Sequence, residues 1–126
     1  AVLDGGGIFN YGSSASSATL VVENGAFYSN RTPQNGGAIY NAGIAMIRDG
    51  ASFEHNWAAN GGAIYNHAAA QNLDAFLALG NGVQIYNNRA IGTDLTSGRG
   101  GGIYNAEFAT LSINGAIITY NTSLKE

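Results

Sequence analysis

Gly61-Gly62-Ala63-Ile64-Tyr65-Asn66 occurs four times in this chain with little change. The other copies are Gly5-Gly6-Gly7-Ile8-Phe9-Asn10, Gly36-Gly37-Ala38-Ile39-Tyr40-Asn41 and Gly100-Gly101-Gly102-Ile103-Tyr104-Asn105. Four copies of a six-residue block in 126 residues mark an internal repeat, and a repeat decides the architecture before any single residue does.

A second pattern keeps step with the first. After each block come two apolar residues two apart: Leu20 and Val22, Ala45 and Ile47, Leu77 and Leu79, Leu111 and Ile113. That is the period-two alternation of a strand. A turn pair follows, Asn24-Gly25, Asp49-Gly50, Asn81-Gly82 or Asn114-Gly115, of the kind that supplies left-handed backbone. Beyond it lie Asn30, Asn56, Asn88 and Asn121, each three residues after Phe27, Phe53, Ile85 or Ile118.

Each unit therefore reads as three short strands separated by turns. The blocks begin at 5, 36, 61 and 100, which gives intervals of 31, 25 and 39 residues. The 36–60 unit is the bare form. The others carry additions between the strand signals: Ser13 to Ser17, His67 to Asp74 and Arg89 to Arg99. Residues 68–76 have the composition of one or two helical turns. A 25-residue unit is too small for a propeller blade of about 40 residues. The expected fold is all-β, a parallel β-helix of about four coils with three short strands per coil. It forms one domain over 1–126, with repeats at about 5–35, 36–60, 61–99 and 100–126.

Stacking gives each repeated residue a role. The glycines permit a corner. Ile8, Ile39, Ile64 and Ile103 form an inner aliphatic row. Asn10, Asn41, Asn66 and Asn105 form one amide ladder between coils, and Asn30, Asn56, Asn88 and Asn121 a second, satisfying polar groups that a tight turn would orphan. With Ile inward, Phe9, Tyr40, Tyr65 and Tyr104 face outward. This aromatic stripe either stabilises a sheet face or offers a platform to sugar rings or a partner.

These residues resemble the repeats of the chlamydial polymorphic outer-membrane proteins and related bacterial autotransporter adhesins, which are marked by tandem Gly-Gly-Ala-Ile and Phe-x-x-Asn motifs. The first motif stands intact at 36–39 and 61–64, and as Gly-Gly-Gly-Ile at 5–8 and 100–103. The second stands intact at Phe27-Tyr28-Ser29-Asn30 and Phe53-Glu54-His55-Asn56, with Ile in place of Phe at 85 and 118. The resemblance implies a right-handed β-helix passenger exposed on a bacterial cell surface or secreted, usually for adhesion.

Composition narrows the function. Charged residues are 10% of the chain, against about 25% in an average domain. With a net charge of −3 and a single lysine, nucleic acid is not an expected partner. No apolar run is long enough to span a membrane as a helix, and no secretory signal is found within the sequence. Without cysteine there is neither a disulfide framework nor a thiolate metal site. The four Asp and four Glu are scattered. Asp49 belongs to a turn. Glu54 and His55 are strand neighbours, expected on opposite sides. His55 and His67 are not expected to form a metal site, and Asp94 is expected to pair with Arg89 or Arg99 within a loop. No catalytic residue, cofactor or metal is expected.

The spacing also continues from Asn121 through Glu126 and back into Ala1–Gly5, where the interval between blocks is again 31 residues. The chain begins without Met, as a processed protein or an excised piece would. The leading expectation is a non-enzymatic extracellular structural protein that self-associates head to tail into a filament or surface layer. The second is an adhesin passenger that binds a cell-surface or carbohydrate ligand through the stripe or the 67–76 and 89–99 loops. The third and weakest is a polysaccharide-active enzyme.

Overall fold

A computed structural model describes residues 4–13, 16–68 and 75–126. The first coil contributes β1 (Ile8–Tyr11), β2 (Thr19–Glu23) and β3 (Ala26–Tyr28). The second contributes β4 (Ile39–Ala42), β5 (Ile44–Arg48), β6 (Ser52–Glu54) and β7 (Trp57–Ala58). The third follows with β8 (Ile64–Asn66), β9 (Ala75–Leu79), β10 (Gln84–Tyr86) and β11 (Arg89–Gly92). The fourth has β12 (Ile103–Asn105), β13 (Ala109–Ile113), β14 (Ile117–Thr119) and β15 (Thr122–Lys125). Every pairing between these strands is parallel and joins one coil to the next. The fold is an all-β parallel β-solenoid.

The registers follow the repeated residues. Ile8, Ile39, Ile64 and Ile103 are successive partners. So are Leu20, Ala45, Leu77 and Leu111, and Phe27, Phe53, Ile85 and Ile118. These rows fill the interior, where the Phe27 and Phe53 rings lie parallel with centroids 4.7 Å apart. A fully buried aliphatic side chain contributes about 2 kcal/mol relative to exposure. Ile39, Ile64, Leu77 and Ile85 of the middle coils are all fully buried. The middle of the stack therefore carries most of the hydrophobic stabilisation, as expected when each repeat contacts only its neighbours.

Three strands per coil proves to be an undercount. The structure has four sheets, the fourth made of β7, β11 and β15, with Arg31 bridging to Trp57 in the first coil. This fourth side begins directly after the second ladder Asn, with no glycine between. The chain turns at Ser29, His55, Asn87 and Tyr120, all in left-handed backbone with φ of 54–56°. Its inward residues are small: Thr32, Ala58, Ala90 and Ser123. A side so short, with so little apolar bulk, leaves almost no periodic signal. Arg89–Gly92 accordingly belongs to a strand and not to an inserted loop. Of the expected helical stretch, 69–74 lie outside the described residues, while Ala75 and Phe76 open β9.

The glycine block makes a tight corner. Gly61 has φ of 60°, a conformation that side chains disfavour. Gly62 is needed for a different reason. A Cβ there would fall 2.0 Å from the Gly101 carbonyl oxygen of the next coil. The first glycine bends the chain, and the second lets two coils touch.

Candidate functional site

Three amide ladders run along the solenoid and hold its corners. In the first, Asn10 Nδ2 donates to Asn41 Oδ1 (2.7 Å), Asn41 to Asn66 (2.8 Å) and Asn66 to Asn105 (2.7 Å). In the second, Asn30 donates to Asn56 (3.0 Å), Asn56 to Asn88 (2.9 Å) and Asn88 to Asn121 (2.9 Å). Each acceptor oxygen of this second ladder also takes the backbone N–H of the Asn one coil before it, at 2.9 Å. Asn41, Asn56, Asn66 and Asn88 are fully buried, so these bonds stand in for lost water.

A third ladder was not anticipated. Asn35 Nδ2 donates to Asp4 Oδ1 (2.8 Å), Asn60 Nδ2 to Asn35 Oδ1 (2.9 Å), and the Arg99 backbone N–H to Asn60 Oδ1 (3.1 Å). Its members are the residues immediately before each glycine block. Their shared position was visible in the sequence, but only two of the four are Asn.

The aromatic row lies outside the core and is closed on itself. Ring centroids are 4.9 Å apart for Phe9 and Tyr40, 5.3 Å for Tyr40 and Tyr65, and 5.4 Å for Tyr65 and Tyr104. His67 packs against Tyr40 and Tyr65. Tyr40 is only 8% exposed, whereas Phe9 at the end of the row is 54% exposed. Burial, followed by the nearby Asp4 carboxylate, pushes the Tyr40 phenol up to about 12. Burial also raises Tyr65. The inner rings pack against one another along the row.

The fourth sheet carries a different surface. Its outward row is Arg31, Trp57, Arg89 and Thr122, each the residue directly after a ladder Asn and each paired with the next. The Arg31 guanidinium carbon lies 4.4 Å from the Trp57 ring centroid. Around this row is an open groove of about 740 Å³, lined also by His55, Thr93 and Glu126. The sequence reading missed it because it missed the strand. The usable signal was the single position after Asn30, Asn56 and Asn88, which holds Arg, Trp and Arg.

Near one edge of the groove, His55 Nδ1 lies 3.1 Å from Glu54 Oε1. The expectation that these neighbours point apart fails because His55 is the left-handed corner residue, and the strand ends at Glu54. Tyr86 Oη donates to Glu54 Oε2 at 2.6 Å, and this bond raises the Tyr86 phenol. Tyr86 is thereby held as the protonated donor and is a weaker acid than a free tyrosine. Asp94 does not turn to an arginine. Its carboxylate accepts from Thr96 and Ser97 of its own loop, which lowers it. Arg99 donates to Tyr104 Oη at 3.2 Å.

Residues 24–42 and 50–67 match the family model described as the Chlamydia polymorphic membrane protein (Chlamydia_PMP) repeat. Each match runs through a Phe-x-x-Asn corner and on past the next glycine block, so each takes in one member of all three ladders: Asn30, Asn35 and Asn41, then Asn56, Asn60 and Asn66. No curated protein and no solved structure matches the chain.

Proposed function

We propose that this chain is a non-enzymatic structural segment of an extracellular, surface-exposed β-solenoid of autotransporter type, and that its coils stack end to end on further coils. The observation that carries this reading is the repeated register within the solenoid: Ile39 lies between Ile8 and Ile64, and Asn41 bonds to Asn10 on one side and to Asn66 on the other, so each coil meets its two neighbours through the same rows. A further coil placed about 4.8 Å along the axis would use those same rows. A head-to-tail contact of this kind does not close on itself and gives a filament or layer. The two polymorphic membrane protein repeats support the surface setting.

The non-enzymatic part of the proposal rests on how the acidic groups are used. Asp4 and Asp94 accept hydrogen bonds within the structure, Glu23 pairs with Arg48, and Glu54 is held by Tyr86 and His55. Light scattering and negative-stain microscopy of the purified chain over a range of concentrations test the stacking. Growth of rods with concentration is expected. A 13 kDa monomer persisting at high concentration would sink end-to-end stacking.

A second reading, an adhesin passenger, is favoured by the repeat match and by the groove on the fourth sheet. Rods that form without binding any cell surface would count against it.

A further inference from the structure

The four arginines are not used alike. Arg48 is bound to Glu23 and lies 3.7 Å from Asp49. Arg99 is bound to Tyr104. The other two, Arg31 and Arg89, both line the groove over the fourth sheet. Among the described residues, neither guanidinium donates a hydrogen bond to the protein or joins an ion pair. Arg31 lies over the Trp57 ring, a cation–π contact that holds the guanidinium at that face without using its N–H donors. Those donors match the paired oxygens of a carboxylate or sulfate.

Register sets the spacing. Arg31 and Arg89 occupy the same outward row two coils apart, with Trp57 between them. Twice the strand spacing puts their backbones about 10 Å apart along the axis, a separation comparable to the length of a disaccharide. The chain as a whole carries −3, so it repels polyanions except where positive charge is concentrated. Among the described residues, Glu126 is the acidic residue lining the groove, and His55 is engaged with Glu54.

We propose that this groove binds an acidic polysaccharide, with Arg31 and Arg89 each holding one carboxylate or sulfate and the intervening sugars lying along Trp57. A peptide fits less well. The inner strands are already paired on both sides, so an extended peptide cannot add as a strand and satisfy its backbone. A sugar chain brings hydroxyls, which side chains such as Ser29 and Thr93 can meet. The inference concerns the side wall of the solenoid and does not depend on stacking at its ends.

Trp57 is the only tryptophan, so its fluorescence reports on this groove alone. The chain is titrated at low salt with polygalacturonate, heparin, neutral dextran and polyglutamate. A saturable change is expected with polygalacturonate or heparin, weakening at high salt, and none with dextran. The preferred polymer tells carboxylate from sulfate. Arg31→Gln and Arg89→Gln should each weaken binding about tenfold, the loss typical of one charge-assisted contact. Arg48→Gln should leave it unchanged, and Glu126→Gln should strengthen it. Thermal melts establish that each variant is folded. No response to either acidic glycan would overturn the proposal, as would an equal response to polyglutamate or undiminished binding by the folded Arg31→Gln/Arg89→Gln double variant.

Discussion

Replacing Asn88 by Ala should cost far more than replacing Asn105 by Ala, although each removes one rung from a ladder. The Asn88 side chain is fully buried. Its Oδ1 accepts the Asn56 backbone N–H at 2.9 Å, and its Nδ2 donates to the Phe53 carbonyl at 2.9 Å and to Asn121 Oδ1 at 2.9 Å. Truncation leaves the Asn56 backbone N–H without its acceptor and beyond the reach of bulk water, and removes the amide bonds to the Phe53 carbonyl and to Asn121. At about 2 kcal/mol for the orphaned N–H and about 1 kcal/mol for each of the two lost bonds, the loss is about 4 kcal/mol. Total stabilities are commonly about 5–15 kcal/mol, so the variant should be folded but marginal. Asn105 accepts from Asn66 Nδ2 at 2.7 Å and is itself exposed. Water can replace it there, and the loss should be about 1 kcal/mol. Urea unfolding followed by far-ultraviolet circular dichroism gives both numbers. If the two variants unfold at the same urea concentration, the ladders are not what satisfies the buried corners.

Two other outcomes follow from the geometry. In an ultraviolet pH titration, Tyr40 should be among the last tyrosines to ionise, at about 12. Since its folded pKa is raised above the unfolded value, its contribution to stability is intact below about pH 10 and is lost as pH rises toward 12. Tyr40→Phe should flatten that part of the stability profile, and an unchanged profile would mean that Tyr40 is solvated. Gly62→Ala should destabilise by about 3 kcal/mol, because the new methyl meets the Gly101 carbonyl. Ala63→Gly in the same corner involves no clash, so thermal melts in which it proves as damaging as Gly62→Ala would show that backbone freedom, and not coil contact, dominates.

What the sequence makes legible is what stacking repeats. A row such as Ile8, Ile39, Ile64 and Ile103 is visible because every coil needs an aliphatic residue there. The Asn ladders are visible because an amide offers both an acceptor to one coil and a donor to the next at a fixed geometry, so the same residue recurs. The fourth sheet is hard to see for the opposite reason. Its inward positions need only be small, so Thr32, Ala58, Ala90 and Ser123 do not repeat one letter from coil to coil, and its outward positions face solvent. With the sheet goes the groove, since Arg31, Trp57 and Arg89 look unrelated until their register is known. The Glu54–His55 contact was hidden by a local rule. Neighbours on a strand point apart, but His55 is a left-handed corner, and the backbone conformation there is imposed by the coil and not by the His side chain.

The central claim is that equivalent residues of successive coils stack in parallel register, and the absence of cysteine allows a direct test. Gln84 and Ile117 are partners on adjacent strands, both exposed. Parallel neighbours lie about 4.8 Å apart, within the Cα range of a disulfide of about 4.4–6.8 Å. Gln84→Cys combined with Ile117→Cys should oxidise within one chain, detected as loss of free thiol and a shift in non-reducing electrophoresis. Gln84→Cys combined with Ile118→Cys should remain reduced, because a slip of one residue turns the second side chain to the other face. Efficient crosslinking of the second pair, or failure of the first in folded protein, would contradict the register on which the ladders, the aromatic row and the groove all depend.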